Sequence, residues 1–227
     1  MNARKEIKTK AYVLRRTNYG EADRILNLIT PIGKMSVIAK GARKEKSKLA
    51  GGIEMFSLVE LIIHQGKSGF GIVTNAKMLK YYDKILTAYD KMELASMILK
   101  DISKVAESSD SLEYFKLVDQ ALDGINSGVN MTLVEGWFLL NLVKAQGEDV
   151  NLYRDVAGKK LEESLRYDWD GLEAAFVARD GGEFGAEEIK TLRLMTGLDL
   201  IVMQRVKGVD RMLPKILRLI KTASNRY

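Results

Sequence analysis

The sequence of 227 residues contains no cysteine and a single histidine, and both absences narrow its possible chemistry. Without cysteine there is no disulfide, no thiolate zinc site, no iron–sulfur cluster and no cysteine nucleophile. His64 has no obvious carboxylate or nucleophile beside it in the sequence, which favours a structural role over that of a general base. We therefore expect a protein that uses neither a metal nor a cofactor.

Long apolar runs are also missing. No stretch reaches the roughly 18 to 20 apolar residues of a membrane span, and no such run follows Met1 as in a secretory signal. Hydrophobic residues nevertheless make up 46% of the chain, enough to bury a sizeable core or two small ones. The composition predicts a soluble cytoplasmic protein.

Positive charge is concentrated at the two ends of the chain. Residues 1–50 carry a net +9 and residues 190–227 a net +7, whereas residues 101–189 carry a net −11, within a total of +6. Each lysine or arginine placed near a phosphate releases a condensed counterion, so two terminal basic blocks favour a nucleic-acid partner. The alternative, an ordinary solvated surface, suffices for any single basic run.

The first 80 residues have the pattern of a small β-barrel. Short apolar runs alternate with glycine-bearing turns and show no helical period. The predicted strands are 11–14, 25–29, 35–39, 56–63 and 70–74, with a hairpin loop at 65–69. Five such strands are typical of the oligonucleotide-binding (OB) fold, a barrel that often binds single strands.

From about residue 81 onward, apolar residues recur at helical spacing. Helices are predicted over 86–107, 111–122, 133–145 and 186–195, and from 198 to the end. Gly124 is expected to end the second helix, and Pro214 to lie in the first turn of the last one. The fold class is therefore α+β: an OB barrel over 1–80, then a helical domain over 81–227 with an irregular insertion at about 150–184.

The most informative motif is the basic segment from Lys40 to Lys48. It holds four lysines or arginines within the six positions 43–48, directly after a predicted strand. A long basic loop on a barrel rim is suited to follow a phosphate backbone, and without aromatics it would position a strand rather than stack on its bases. Taken alone, a loop of solvated lysines explains it equally well.

Three catalytic motifs fail on inspection. Gly66-Lys67-Ser68 lacks the upstream glycine of a phosphate-binding loop, because position 61 is Leu61. No serine lies in a Gly-x-Ser-x-Gly turn. Asp168 and Asp170 form a carboxylate pair suited to a hard cation, but no complete ligand set accompanies them. We interpret that pair as a loop feature.

Four segments follow one another in the N-terminal part of the chain: Ala11-Tyr12-Val13-Leu14-Arg15, Tyr19-Gly20-Glu21-Ala22-Asp23-Arg24-Ile25-Leu26, Thr30-Pro31-Ile32-Gly33-Lys34 and Ala39-Lys40-Gly41-Ala42-Arg43. In this order they resemble the RecO family of bacterial recombination mediators. A weaker likeness continues through Trp137-Phe138-Leu139-Leu140 to Gly147. Members of the family often carry a four-cysteine zinc site. Here the matching stretch has none, so packing around Tyr153, Tyr167, Trp169 and Phe176 must replace it.

The resemblance implies a function without covalent chemistry. It implies binding of single- and double-stranded DNA, annealing of complementary strands and assistance in loading RecA. The implied partners are the single-stranded-DNA-binding protein SSB and RecR, and the implied location is the bacterial cytoplasm, at the nucleoid. The expected DNA contacts are Arg15, Arg16, Arg24, Lys34, Lys40, Arg43, Lys44, Lys46 and Lys48. A possible surface for the SSB tail, or for a second DNA segment, comprises Arg205, Lys207, Arg211 and Lys215.

Three alternatives stay open on the sequence. One is an RNA-binding OB protein of another pathway, which would bind RNA equally well and anneal nothing. Another is a metal-dependent nuclease that uses Asp168 and Asp170. The third is a protein scaffold, which would show no salt-dependent DNA binding. Charge and fold class alone do not separate them.

Overall fold

A computed structural model describes residues 6–65, 70–106, 111–148 and 150–224 of the chain. The predicted hairpin loop and the Gly66-Lys67-Ser68 motif lie outside the described residues. The chain divides into two compact units, Met1–Asn126 and Ser127–Tyr227. Across the described ranges, no helix is both long and apolar enough to span a membrane.

The first unit is built on a closed barrel of five strands. The strands are β1 (Glu6–Tyr19), β2 (Asp23–Thr30), β3 (Gly33–Ala39), β4 (Ser57–Gln65) and β5 (Gly71–Tyr81). They close in the order β1-β2-β3-β5-β4, with β3 and β5 parallel and the other pairs antiparallel. This confirms the predicted barrel of OB type. All five predicted strands are present, although β1 and β5 extend well beyond the predicted bounds.

The barrel interior is filled by alternate residues of each strand, as the two-residue period of a strand requires. Its fully buried side chains include Val13, Leu26, Leu28, Val37, Val59, Leu61 and Ile63. Gly52, at the end of a short 3-10 turn (Ala50–Gly52), approaches β5 so closely that an added Cβ would lie 2.5 Å from the carbonyl oxygen of Ala76. Only glycine fits there.

Two helices complete the first unit: α1 (Tyr89–Val105) and α2 (Ser111–Ser127). α1 packs against β1. The predicted stop at Gly124 is wrong, since α2 continues to Ser127 and Gly128 adopts the positive φ of a helix terminus. The barrel strands end at Tyr81, close to the predicted domain boundary, but the compact unit extends through both helices. The division at residues 80 and 81 stays a prediction.

The second unit contains four helices and a small sheet. They are α3 (Met131–Ala145), β6 (Tyr167–Asp170), β7 (Ala175–Ala178), α4 (Ala186–Gly197), α5 (Leu200–Met203) and α6 (Val209–Ser224). α3 is buried on nearly every side and packs on α6 and α4. β6 and β7 pair antiparallel within the segment that was predicted to be irregular.

The C-terminal segment is not one continuous helix. α5 ends at Met203, and a turn with Gly208 at φ 80° precedes α6. Pro214 therefore lies inside α6, beyond its first turn, and the predicted position is wrong. The apolar spacing continues across the turn, so the period alone hides the break. Asn130 caps α3, since its side chain accepts a hydrogen bond from the backbone N–H of Thr132 at 2.9 Å.

Candidate nucleic-acid interface

A bulge in β1 decides how its two arginines are used. A β-bulge shifts the pairing with β2 between Val13 and Arg15. Val13 faces the core opposite Leu28, and beyond the bulge it is Arg16, and not Arg15, that lies on that inward face. Nη1 of Arg16 lies 2.7 Å from Oε2 of Glu54. Arg15 is exposed and makes no ion pair within the described residues. The bulge thus leaves Arg15 exposed and brings Arg16 into an ion pair with Glu54.

Arg24 and Lys34 also differ in their contacts. Arg24 is half-buried, between Asn18 of β1 and Ala39 of β3 in the strand register. Nζ of Lys34 donates to the backbone carbonyl of Ser103 at 2.5 Å, in the last turn of α1. A lysine at that position satisfies a free carbonyl and complements the negative end of the helix dipole. Lys34 therefore fastens α1 to the barrel.

The basic segment after β3 is tied to the turn between β1 and β2. Oδ1 of Asp23 accepts the backbone N–H of Gly41 at 2.7 Å. The backbone N–H of Arg43 donates to the carbonyl of Ala22 at 2.8 Å, and its guanidinium donates to the carbonyl of Gly20 at 3.2 Å. These bonds give the segment a defined course along one end of the barrel.

We call this set of open cations the basic rim. Its members are exposed or half-exposed, and none of them forms an ion pair with a residue that the structure describes: Arg15, Arg24, Lys40, Arg43, Lys44, Lys46 and Lys48. Of the nine expected DNA contacts, Arg16 is ion-paired with Glu54 and Lys34 donates to the Ser103 carbonyl. The other seven make up the rim, and of these Arg43 also donates to a carbonyl, that of Gly20. Unpaired cations on one rim produce a positive potential that attracts a polyanion.

Three basic residues of α6 are paired with glutamates. Nζ of Lys215 lies 2.6 Å from Oε1 of Glu188, with both side chains mostly buried. Arg218 and Lys221 pair with Glu183 and Glu135 at 2.5 Å and 2.6 Å. Of the expected C-terminal set, three remain exposed without an ion pair among the described residues: Arg205, Lys207 and Arg211.

The pKa of the Glu188 carboxyl reflects these contacts. Its partial burial acts to raise the pKa, but the hydrogen bonds from Lys215 and from the backbone N–H of Gly185 outweigh that effect. The pKa therefore lies below its ordinary value. Glu188 is ionised at neutral pH and links α4 to α6.

The two carboxylates of the nuclease alternative already have protein partners. Asp168 Oδ2 accepts Nη1 of Arg179 at 2.8 Å, and Oδ1 accepts the backbone N–H of Glu183 at 2.9 Å. Asp170 Oδ1 accepts the backbone N–H groups of Leu172 and Glu173. Among the described residues no cluster of three potential metal ligands occurs. These bonds shape the β6–β7 hairpin.

His64 lies at the end of β4, opposite Glu6 of β1. Its Nε2 is 3.1 Å from Oε2 of Glu6. The two residues form a cross-strand pair between β1 and β4.

Aromatic packing occupies the segment that the family resemblance matched to a zinc site. Phe176 is central: its ring centroid lies 6.1 Å from Tyr167, 5.2 Å from Trp169 and 5.7 Å from Phe184, edge-to-face in each case. Three of the four expected aromatics are therefore confirmed in this cluster. Tyr153 is not part of it; its ring is exposed and lies under the guanidinium of Arg193 at 4.7 Å. Phe184 takes the fourth place.

One buried polar cluster has no signature in the sequence. The Tyr12 hydroxyl lies 2.8 Å from the Tyr82 hydroxyl and donates to Oδ1 of Asp119, which joins β1 to α2. Burial, with smaller contributions from these neighbours, raises the pKa of Tyr12 far above its ordinary value, and burial likewise raises that of Tyr82. Both tyrosines stay protonated. The three residues are 70 and 107 positions apart, beyond the reach of any local pattern.

The fold and the surface together define a class: an OB-barrel protein with a basic rim and a following helical unit. Residues 1–82 match the family model described as "Recombination protein O N terminal". The DNA repair protein RecO of Roseiflexus sp. (strain RS-1) is 31% identical over 151 residues, which cover 66% of this chain and 53% of that protein. RecO of Dehalococcoides mccartyi (strain CBDB1) is 30% identical over 169 residues, or 71% of this chain and 65% of that protein.

RecO of Clostridium novyi (strain NT) is 29% identical over 161 residues, which cover 69% of this chain and 62% of that protein. The matched segments therefore span between half and two thirds of each of these relatives. The chain is therefore similar to RecO proteins, and its barrel matches the N-terminal part of that family.

Proposed function

We propose that this chain is a DNA repair and recombination mediator that binds single- and double-stranded DNA through the basic rim. In this role it anneals complementary strands coated with SSB and assists RecA loading, in the cytoplasm at the nucleoid. It acts without covalent chemistry and without a cofactor. The proposal rests on the similarity to RecO proteins and on the open cations of the barrel.

The observation that carries the proposal is the contrast between open and paired cations on the barrel. Lys40, Arg43 and Lys44 follow one another along a segment that is hydrogen-bonded to the β1–β2 turn, with Arg24 in the adjacent strand. OB barrels bind their ligands at strands 2 and 3 and at the neighbouring loops. Contacts of this kind reach the phosphate backbone and carry no sequence information.

Annealing follows from the same charge. Two complementary strands repel each other through their phosphates, and a cationic surface that neutralises some of those phosphates lowers the repulsion. No bond is made or broken. The expected signature is a steep loss of affinity with rising salt and no preference among sequences.

The partners are SSB, RecR and, indirectly, RecA. For the SSB tail, which is acidic and ends in an apolar group, we propose the surface around the α5–α6 turn. Arg205, Lys207 and Arg211 are exposed there without an ion pair among the described residues, and Ile201 and Val202 of α5 are exposed beside them in sequence. A cationic and apolar surface matches such a peptide. Lys215 is held by Glu188 and is left out of this set.

The test is the annealing of complementary oligonucleotides precoated with the cognate SSB, in EDTA. We compare the wild type with Lys40→Glu/Arg43→Glu, which reverses two rim cations. The wild type should accelerate annealing, and the variant should lose the acceleration together with at least about tenfold in DNA affinity. Circular dichroism verifies that both proteins are folded.

A matched control reverses two exposed lysines outside the rim, Lys77→Glu/Lys100→Glu, and changes the net charge by the same amount. This control should anneal like the wild type. Equal loss in both variants would show that total charge, not the rim, governs binding. Equal affinity for RNA without annealing would favour the RNA-binding alternative. Magnesium-dependent cleavage lost in Asp170→Ala would contradict the proposal outright.

A further inference from the structure

An exposed aromatic ring, that of Tyr19, lies next to the turn to which Arg43 of the basic rim is bonded, and we infer that Tyr19 is a base-stacking residue that adds a preference for unpaired strands over duplex. This inference rests on the proposed function and names the residue that separates single- from double-stranded DNA. Tyr19 ends β1, next to the turn that the basic segment holds in place. From the sequence alone, the basic segment was expected to lack any stacking group.

The Tyr19 ring is available. The side chain is 53% exposed, and among the described residues it has neither an aromatic neighbour nor a cation over its face. By contrast, the exposed ring of Tyr153 is covered by Arg193. A free ring face is what an unstacked base requires, since every base offers its own π-face.

The platform beneath Tyr19 is fixed. Tyr19 pairs with Asp23 across the turn, and Asp23 accepts the backbone N–H of Gly41. The carbonyl of Gly20 and the carbonyl of Ala22 both accept hydrogen bonds from Arg43. These bonds fix the backbone of the turn beside Tyr19, and a preordered backbone lowers the cost of ordering on binding.

The distribution of charge favours a base, rather than a phosphate, at this point. The turn itself carries two carboxylates, Glu21 and Asp23, which would repel a phosphate but not an uncharged base. Cations lie on either side. Arg15 shares the outward face of β1 with Tyr19, about 13 Å away along an extended strand, and Lys40 begins the basic segment beside Asp23. Tyr19 therefore lies at the end of β1, with Arg15 on the same face of that strand and Lys40 beyond β2 at the end of β3.

This arrangement predicts selectivity. In a duplex the bases are stacked on one another and turned inward, so Tyr19 finds no partner and only the cations contribute. In a single strand the ring adds one stacking contact. Removing the ring should therefore weaken single-strand binding and leave duplex binding unchanged.

The experiment measures binding of the full chain to oligothymidylate, to an abasic oligomer of equal length and to a duplex, by fluorescence anisotropy. Tyr19→Leu should lose at least about fivefold in affinity for oligothymidylate, and Tyr19→Phe should retain it. Both variants should bind the duplex and the abasic oligomer like the wild type. The control is Tyr89→Leu, which removes a more exposed ring (76%) at the start of α1 and should change nothing.

Unchanged oligothymidylate affinity in Tyr19→Leu would overturn the inference and leave the proposed function intact. Equal losses on oligothymidylate and on the abasic oligomer would also overturn it, because the abasic oligomer has no base to stack. If the wild type bound none of the three ligands, the proposed function itself would fail. The two failures are therefore distinguishable.

Discussion

The basic residues of the barrel and those of α6 have similar charge but opposite surroundings. Along the barrel rim, Lys40, Lys44 and Lys46 are exposed and have no carboxylate partner within the described ranges. In α6, Lys215 and Arg218 each contact a glutamate of the same unit. Both regions appear as basic blocks in the sequence, yet the cations of the barrel segment are unpaired among the described residues, whereas three of those in α6 are paired with glutamates.

We therefore expect partnering, rather than charge density alone, to decide where a polyanion binds. A surface ion pair contributes only about 0 to 1 kcal/mol to stability. It nonetheless neutralises the local field, and a phosphate must compete with the carboxylate already in place. The carboxylates that pair with α6 come from α3, from α4 and from the loop before α4, which a count along the chain does not connect.

The largest expected effect comes from destabilising the barrel by a substitution at Gly52. In Gly52→Ala the new Cβ would lie 2.5 Å from the Ala76 carbonyl oxygen, so β5 or the 3-10 turn must move. We expect a loss of about 3 kcal/mol in the free energy of unfolding, measured by chemical denaturation. DNA affinity should fall with the folded fraction.

The neighbouring glycine is the control. A Cβ added at Gly51 meets no atom within 4 Å. Gly51→Ala should therefore change stability by less than about 0.5 kcal/mol. Equal losses at both positions would mean that backbone freedom, not the close approach to Ala76, explains the effect.

The next effect tests whether the paired cations of the second unit are structural. Glu188→Ala removes the partner of the mostly buried Lys215 and the acceptor for the Gly185 N–H. We expect a loss of about 2 kcal/mol, because an ammonium then lies partly buried without a counter-charge. Lys215→Met, which removes the cation as well, should restore part of that loss.

The same pair makes a pH prediction. The pKa of Glu188 is lower in the folded state than its ordinary value of 4.5, so its contribution to stability is fully present above that value. It is lost as the pH falls through the lower, folded-state pKa. Unfolding measured at neutral pH and in acid should show a smaller acid-induced loss for Glu188→Gln than for the wild type. Identical losses would contradict the assignment.

The sequence predicts the barrel better than the site. Alternating apolar residues and glycine turns are local signals, so five strands and the basic segment are found without the structure. The engagement of Arg16 depends on a bulge, that of Lys34 on a carbonyl 69 positions away, and that of Lys215 on α4. These are tertiary contacts, and no periodicity encodes them.

A smaller effect is expected at the buried tyrosine cluster that joins β1 to α2. Tyr12→Phe removes a hydroxyl that contacts both Tyr82 and Asp119 and should cost about 1 kcal/mol. Tyr82→Phe removes only one of the two contacts and should cost less. Chemical denaturation measures both. A larger loss for Tyr82→Phe would show that the Tyr12–Asp119 bond contributes little.

The smallest effect tests the difference between unpaired and paired cations directly. One variant removes an unpaired cation of the rim, and the other removes a paired cation of α6. Lys44 is exposed and unpaired among the described residues, whereas Arg218 is equally accessible but paired with Glu183. Lys44→Ala should reduce the slope of log affinity against log salt by about 0.9, the share of one phosphate contact. Arg218→Ala should leave the slope unchanged, since that cation is already neutralised. Equal reductions of the slope in the two variants would mean that DNA displaces Glu183 from Arg218. A carboxylate partner would then not prevent a cation from binding DNA.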